Sequence, residues 1–105
     1  MDDLAYKISE ISSSYIGTLS SNNIPVKEAV LFGNYATGTY QEWSDIDIAL
    51  VSDLFVGNRM DDKDKIRDIT LSVSNEIELL PFAPDDFNPQ NPFVKEILKT
   101  GIRLI

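Results

Sequence analysis

Apolar residues recur at steps of three and four positions near the start of the chain. Such spacing aligns side chains along one face of a helix. The acidic pair Asp2 and Asp3 stands just before this stripe, where carboxylates stabilise a helix N-terminus. We predict a helix over residues 3–20, with an apolar face made of Leu4, Ile8, Ile11, Tyr15 and Leu19.

Two segments with strand character follow this helix. Residues 26–32 are mostly apolar and end at Gly33, and residues 45–52 form the second run. The segment between them, up to Ser44, is rich in Gly, Thr and Asn. It therefore predicts a turn that contains at most a short helix.

The middle of the chain predicts a helix and a third strand. Asp61 and Asp62 are suited to cap the helix in a solvated first turn. Residues 76–80 then alternate polar and apolar positions, which is typical of a strand, and we expect it to end at Pro81 or Pro84. The inward face of the helix carries Ile66, Ile69 and Val73.

The last segment completes the predicted fold. Asn91 is a cap residue before Pro92, and Gly101 is placed to end the helix that they begin. Residues 102–105 could add a short edge strand. The order of elements predicts an α/β (or α+β) fold, a small mixed β-sheet with helices packed on it, in a single domain over residues 1–105.

Composition limits the chemistry open to this chain. Its 105 residues include no cysteine and no histidine. This excludes disulfides, zinc sites built on thiolate or imidazole, cysteine nucleophiles and serine triads with a histidine base. Any bound metal must be held by oxygen atoms, which suits Mg²⁺, Mn²⁺ or Ca²⁺.

The charge balance is acidic, with a net charge of -8. Such a chain binds nucleic acid poorly by itself, because binding requires neutralising phosphates, and it would instead attract a basic protein partner. The longest apolar runs, residues 29–32 and 48–51, are far too short to cross a bilayer. Since the first residues are acidic and not a basic leader, we expect a cytoplasmic protein.

Asp45 and Asp47 are the leading candidates for chemistry. Residues two apart in a strand point to the same side, so these carboxylates project together while Ile46 and Ile48 enter the core. Their mutual repulsion is about 3 kcal/mol for a separation near 5 Å and an effective dielectric near 20, and a divalent cation would relieve it. The alternative interpretation is an exposed strand whose outer side happens to be acidic.

Several familiar glycine or aspartate motifs do not fit. An EF-hand loop needs an oxygen ligand and then a glycine where this chain has Ala49 and Leu50. The segment from Gly33 to Gly38 lacks the Gly-Lys-Ser/Thr ending of a P-loop, and the glycine pattern of NAD-binding proteins is absent.

What remains is a two-part motif: Gly33-Asn34, ten residues, and then Asp45-Ile46-Asp47. In this pattern the chain resembles the minimal nucleotidyltransferases (MNT domains) of the DNA polymerase β-like superfamily, whose motif is Gly-Ser, ten residues, then Asp-x-Asp. The segment after residue 92 is similar to that family's closing helix and strand. The resemblance covers essentially the whole chain and implies a polymerase-β-like nucleotidyltransferase fold.

The resemblance implies a nucleotide site at the glycine turn. Gly33 would let the backbone approach a triphosphate closely, and Asn34, Thr37 and Ser44 would also lie at the nucleotide. Two of these depart from the family pattern. Asn34 replaces a serine that touches phosphate, and Thr37 stands where many members carry a basic residue, so we expect weaker nucleotide binding.

The resemblance also implies a catalytic and metal-binding set. Asp45 and Asp47 would hold two Mg²⁺ (or Mn²⁺) ions that bridge the nucleotide and the attacking hydroxyl. The family uses a third carboxylate on a neighbouring strand as a base. Glu78 is the best match, and Glu76 on the same strand face is the alternative.

The function implied by this resemblance is transfer of a nucleoside monophosphate, AMP from ATP, to an acceptor hydroxyl. Stand-alone domains of this kind are antitoxins paired with HEPN-type ribonuclease toxins, and the acidic charge suits a basic partner. Two alternatives stay open: a catalytically degenerate domain that neutralises its partner by binding alone, which the substitutions at Asn34 and Thr37 favour, and a regulatory nucleotide-binding module. Homo-oligomer formation also stays open.

Overall fold

The computed structural model describes residues 3–41 and 43–105. Helix α1 spans Asp3–Ser21 and confirms the predicted first helix. Ile8, Tyr15 and Leu19 from its apolar stripe are buried. Asp2, from the predicted acidic first turn, lies outside the described residues.

The described strands are β1 (Glu28–Phe32), β2 (Ile46–Val51), β3 (Ile77–Phe82) and β4 (Ile102–Arg103). They form one four-stranded sheet in the order β3-β2-β1-β4. Strand β1 pairs antiparallel with both β2 and β4, whereas β2 and β3 are parallel. The sheet is therefore mixed, with β3 and β4 at its edges, and the predicted fold class and edge strand are confirmed.

Strand β3 continues through Pro81, where one of the two predicted ends was placed. Ile46 N donates to Glu76 O (2.9 Å) and Ser52 N donates to Phe82 O (3.2 Å), so the even-numbered residues of β3 direct their main-chain groups toward β2. Pro81 is out of phase with them and faces the outer edge. Its missing N–H therefore costs no sheet hydrogen bond, which is why an edge strand tolerates it.

The helix predicted after Asp61 is divided in two. Helix α3 spans Arg59–Lys65 and is capped by Asn58, whose side chain accepts from Asp61 N (3.1 Å), so the cap lies earlier than predicted. Ile66 has a non-helical φ of -124° and ends it, and α4 follows over Arg67–Val73. Ile66 is buried, which indicates that the break serves to place this side chain in the core.

Asp62 does not cap a solvated turn, as the sequence predicted, but is fully buried. Its carboxylate accepts from Val56 N (3.0 Å), Gly57 N (2.9 Å) and Lys65 Nζ (3.0 Å). Burial opposes its ionisation, but these donors outweigh it and hold the pKa of Asp62 below its ordinary value. Asp62 thus fixes the loop after β2 to α3.

Helices cover both faces of the sheet. One face packs against α1 and α4 and includes Ile46, Ile48 and Leu79. The opposite face packs against α5, which spans Pro92–Thr100 with Asn91 as its cap, as predicted. The remaining short helix, α2, spans Asn34–Thr37 between β1 and β2. Within the described ranges, no helix combines the length and apolar character needed to cross a membrane.

Candidate active site

Asp47 lies at the centre of the candidate site. It is the second residue of β2 and stands in register with Phe32 of β1 on one side and Glu78 of β3 on the other. Asp45 lies just before β2 and not inside it as predicted, because β2 begins at Ile46. Alternation holds across the strand start: Ile46 is fully buried, whereas Asp47 is half-buried and Asp45 is exposed.

The charges at this point repel one another. Burial raises the pKa of Asp47 above its ordinary value, and the neighbouring charges of Asp45 and Glu78 raise it further. The charges of Asp45 and Glu78 therefore both act on Asp47 at this end of β2. Their oxygen donors suit Mg²⁺ or Mn²⁺, and a cation would offset their repulsion.

The grouping is nevertheless incomplete as a metal centre. Across residues 3–41 and 43–105, no three acidic side chains converge closely enough to hold a metal ion by themselves. A nucleotide's phosphate oxygens or water would have to supply further ligands, which is common for Mg²⁺.

Glu78, and not Glu76, is the glutamate beside Asp47. Glu78 lies within β3, and its charge acts on Asp47. Glu76 precedes β3, and its side chain forms an ion pair with Lys7 of α1 (3.6 Å). The two glutamates are therefore directed to different neighbours, although the sequence placed them on one strand face.

Gly33 brings the main chain against Asp47. Its backbone angles, φ 74° and ψ -150°, are open almost only to glycine. A Cβ added to Gly33 would overlap Asp47 Oδ2 and stand 3.2 Å from Asp47 Cγ. The absence of a side chain thus creates the close approach between the turn before α2 and the carboxylates of β2.

The three other predicted nucleotide-site residues lie between β1 and β2, Asn34 and Thr37 in helix α2 and Ser44 in the loop after it. Asn34 Oδ1 accepts from Thr39 Oγ1 (3.2 Å), and the Thr37 hydroxyl is 3.3 Å from Gly33 O and 2.9 Å from Thr39 Oγ1. Ser44 Oγ accepts from Gln41 N (2.9 Å), next to Asp45. These side chains shape the loop, and the Asn34 amide NH₂ and the Ser44 O–H keep donor capacity.

A lysine that the sequence did not single out contacts the acidic group. Lys63 Nζ donates to Glu78 Oε1 (3.0 Å). Both residues line a cleft of about 220 Å³ between β3 and helices α3 and α4, together with Arg67, Thr70, Leu71, Ile77 and Leu79. In the sequence Lys63 is one charge within a run of five charged residues, so no local pattern distinguishes it.

Both the sequence and the fold are similar to those of known proteins. The sequence model of the nucleotidyltransferase domain family matches residues 13–104, whereas no curated protein sequence matches significantly. A crystal structure from Sulfolobus solfataricus, described as a nucleotidyltransferase, superposes with a TM-score of 0.70 at 16% identity, over 94% of this chain and 80% of that one.

Two toxin–antitoxin crystal structures also match. One, solved with AMP-PNP, gives a TM-score of 0.63 at 18% identity, and a mutant of the toxin–antitoxin MntA-HpeT gives 0.62 at 16%. Each match covers 90% of this chain and 72% of the other. At these identities the superpositions establish the shared fold.

Proposed function

Since the chain belongs to the nucleotidyltransferase domain family, we propose that it transfers AMP from ATP to a hydroxyl group of a partner protein. The family match also confirms the resemblance predicted from the sequence. The observation that carries this proposal is the contact of the Gly33 turn with Asp47, beside Asp45 and Glu78. It joins a turn without a side chain, which phosphate could approach, to carboxylates whose repulsion a cation would offset.

The reaction is an in-line substitution at the α-phosphorus. The acceptor oxygen forms a bond to this phosphorus, the bond to the oxygen bridging the α- and β-phosphates breaks, and pyrophosphate leaves with the electron pair. The Glu78 carboxylate takes the hydroxyl proton, since the chain has no histidine to act as base.

The remaining residues bind and orient the nucleotide. The main chain at Gly33 admits the triphosphate, and the donors of Asn34 and Ser44 are available to its oxygens. Asp45 and Asp47 are the proposed holders of Mg²⁺ or Mn²⁺, and Glu78 lies beside them as the proposed base. When bound, the metal would neutralise phosphate charge and the charge that develops on the attacking oxygen.

The partner that we propose is a basic toxin of the HEPN type. Two structural neighbours are toxin–antitoxin complexes, one of them solved with AMP-PNP. The net charge of -8 favours association with a basic protein and disfavours direct binding to nucleic acid. A cytoplasmic antitoxin is consistent with these properties.

Neutralisation by binding alone is the second candidate function. The loop from Gly33 to Ser44 contains no lysine or arginine, and the Thr37 hydroxyl is engaged within the loop. Both features favour a weaker hold on the triphosphate than a basic residue at this position would give.

One experiment separates the two candidates. The protein is incubated with ATP, Mg²⁺ or Mn²⁺ and the protein encoded by the adjacent gene, and intact mass is measured for an added AMP. Transfer predicts an adduct that Asp47→Asn abolishes, together with the loss of neutralisation. If the partner is neutralised without any adduct, and the Asp47→Asn variant still neutralises it, the domain acts by binding alone and the transfer proposal is contradicted.

A further inference from the structure

Lys63 is the cation that contacts the proposed catalytic carboxylates. It hydrogen-bonds one oxygen of Glu78, Oε1, at 3.0 Å. Glu78 in turn stands in register with Asp47 on the neighbouring strand. The second Glu78 oxygen is not part of this hydrogen bond.

The position of Lys63 is determined by the fold around it. It follows Asp62, whose buried carboxylate ties α3 to the loop after β2. Its side chain lies along the wall of the cleft beside β3 and is only 32% exposed, whereas the side chain of its partner Glu78 is 57% exposed. The less exposed lysine therefore contacts the more exposed glutamate from the wall of the cleft.

Within the described ranges, no three acidic side chains converge on one metal position. Glu78 is in register with Asp47, but one of its oxygens is committed to Lys63. Lys63 forms this hydrogen bond with Glu78 and not with Asp45 or Asp47.

We propose that Lys63 is a positioning residue that keeps Glu78 available as a proton acceptor by restraining it from becoming a full metal ligand. The proposal rests on the function proposed above. By occupying Oε1, Lys63 leaves the other Glu78 oxygen for the acceptor hydroxyl. Metal binding then depends mainly on Asp45 and Asp47.

The test measures Mn²⁺ affinity of the nucleotide-free protein by calorimetry and, separately, the kinetics of AMP transfer. Lys63→Met should raise Mn²⁺ affinity about tenfold, because removing a unit positive charge about 6 Å from a divalent ion has this size even at a dielectric near that of water. The same variant should lower kcat without raising KM for ATP. Lys63→Arg should restore kcat, since it keeps the charge and the donor.

Lys7→Met is the matched control, because Lys7 forms the corresponding ion pair with Glu76 outside the proposed set. It should leave Mn²⁺ affinity and kcat unchanged. In a Glu78→Gln background, Lys63→Met should raise Mn²⁺ affinity by a smaller factor, because the released carboxylate is then missing.

Unchanged or weaker Mn²⁺ binding by Lys63→Met would overturn the role of Lys63 while leaving the metal site intact. An equal rise in Lys7→Met would overturn it as well, since the effect would then be one of general charge. If the unaltered protein shows neither Mn²⁺ binding nor AMP transfer, the proposed metal-dependent function fails and this inference fails with it.

Discussion

Replacing Gly33 with alanine tests the contact between the turn and Asp47 directly. Gly33 has φ 74° and ψ -150°, a region that non-glycine residues occupy at a cost of about 1–3 kcal/mol. The new methyl group would also overlap Asp47 Oδ2. Rotating that carboxylate away costs about 1 kcal/mol more, the size of an off-rotamer side chain. We therefore expect Gly33→Ala to reduce the free energy of unfolding by about 3 kcal/mol.

Gly38→Ala is the control for the backbone term. Gly38 also has a positive φ, 81°, but an added Cβ there meets nothing within 4 Å. Its replacement should cost only the penalty for a left-handed conformation, about 1 kcal/mol. Urea denaturation of the two variants, compared with the unaltered protein, gives both values.

A double-mutant cycle isolates the side-chain overlap. In an Asp47→Ala background the carboxylate is gone, so Gly33→Ala should cost about 1 kcal/mol less than it does alone. The same Gly33→Ala variant should lose nucleotide binding, because the methyl group stands where the phosphate would approach. A Gly33→Ala cost no larger than that of Gly38→Ala would refute the close approach on which the proposed site depends.

Three further predictions concern single side chains. Asp62→Ala should reduce stability by about 3 kcal/mol in urea denaturation, because Val56 N–H and Gly57 N–H lose a buried charged acceptor. Because the pKa of Asp62 is lowered in the folded state, its contribution to stability should be present above pH 3.8 and vanish as pH falls through the folded-state pKa. Asp47→Asn should raise stability at pH 7 by up to about 1 kcal/mol: the pKa of Asp47 is raised, so its charge opposes folding increasingly as pH rises above 3.8, and the gain should disappear below that pH. Asn34→Ser should tighten ATP binding in calorimetry if the longer amide weakens the phosphate site, and unchanged affinity would contradict that reason.

Much of the fold was accessible from sequence because local pattern and tertiary packing agree there. The stripe that contains Ile8, Tyr15 and Leu19 forms a helix face, and the same residues are buried in the core. The alternation around Asp47 likewise matches the two faces of β2. In such segments the periodicity is itself the signature of burial, so one observation predicts both the element and its orientation.

The errors lie where a long-range contact determines the local structure. The first strand begins two residues later than predicted, at Glu28. The interruption of the helix at Ile66 divides a segment whose apolar pattern is continuous in the sequence. Asp62 is buried because two amides from the preceding loop converge on it. None of these contacts produces a periodic pattern in the sequence, so the charged residues around Asp62 were predicted to face solvent.

The same reasoning limits what sequence could say about the site. Paired aspartates and a glycine turn are close in the chain and were predicted together. The different neighbours of Glu76 and Glu78 depend instead on Lys7 and Lys63, which reach them from other helices. Long side chains that meet across elements leave no fixed spacing in the sequence.

The arrangement also bears on whether the domain acts by transfer or by binding alone. Gly33 occupies a backbone region that other residues enter only at a cost, and the ionised Asp47 is opposed by burial and by two neighbouring carboxylates. A domain that only had to contact a partner would be more stable without the ionised Asp47. The coincidence of Gly33 and Asp47 at one contact, where glycine removes the Cβ that would touch the carboxylate, supports the proposal of a site for a cation and a phosphate. The measured gain in stability from Asp47→Asn, set against its loss of AMP transfer, would express this trade-off in one variant.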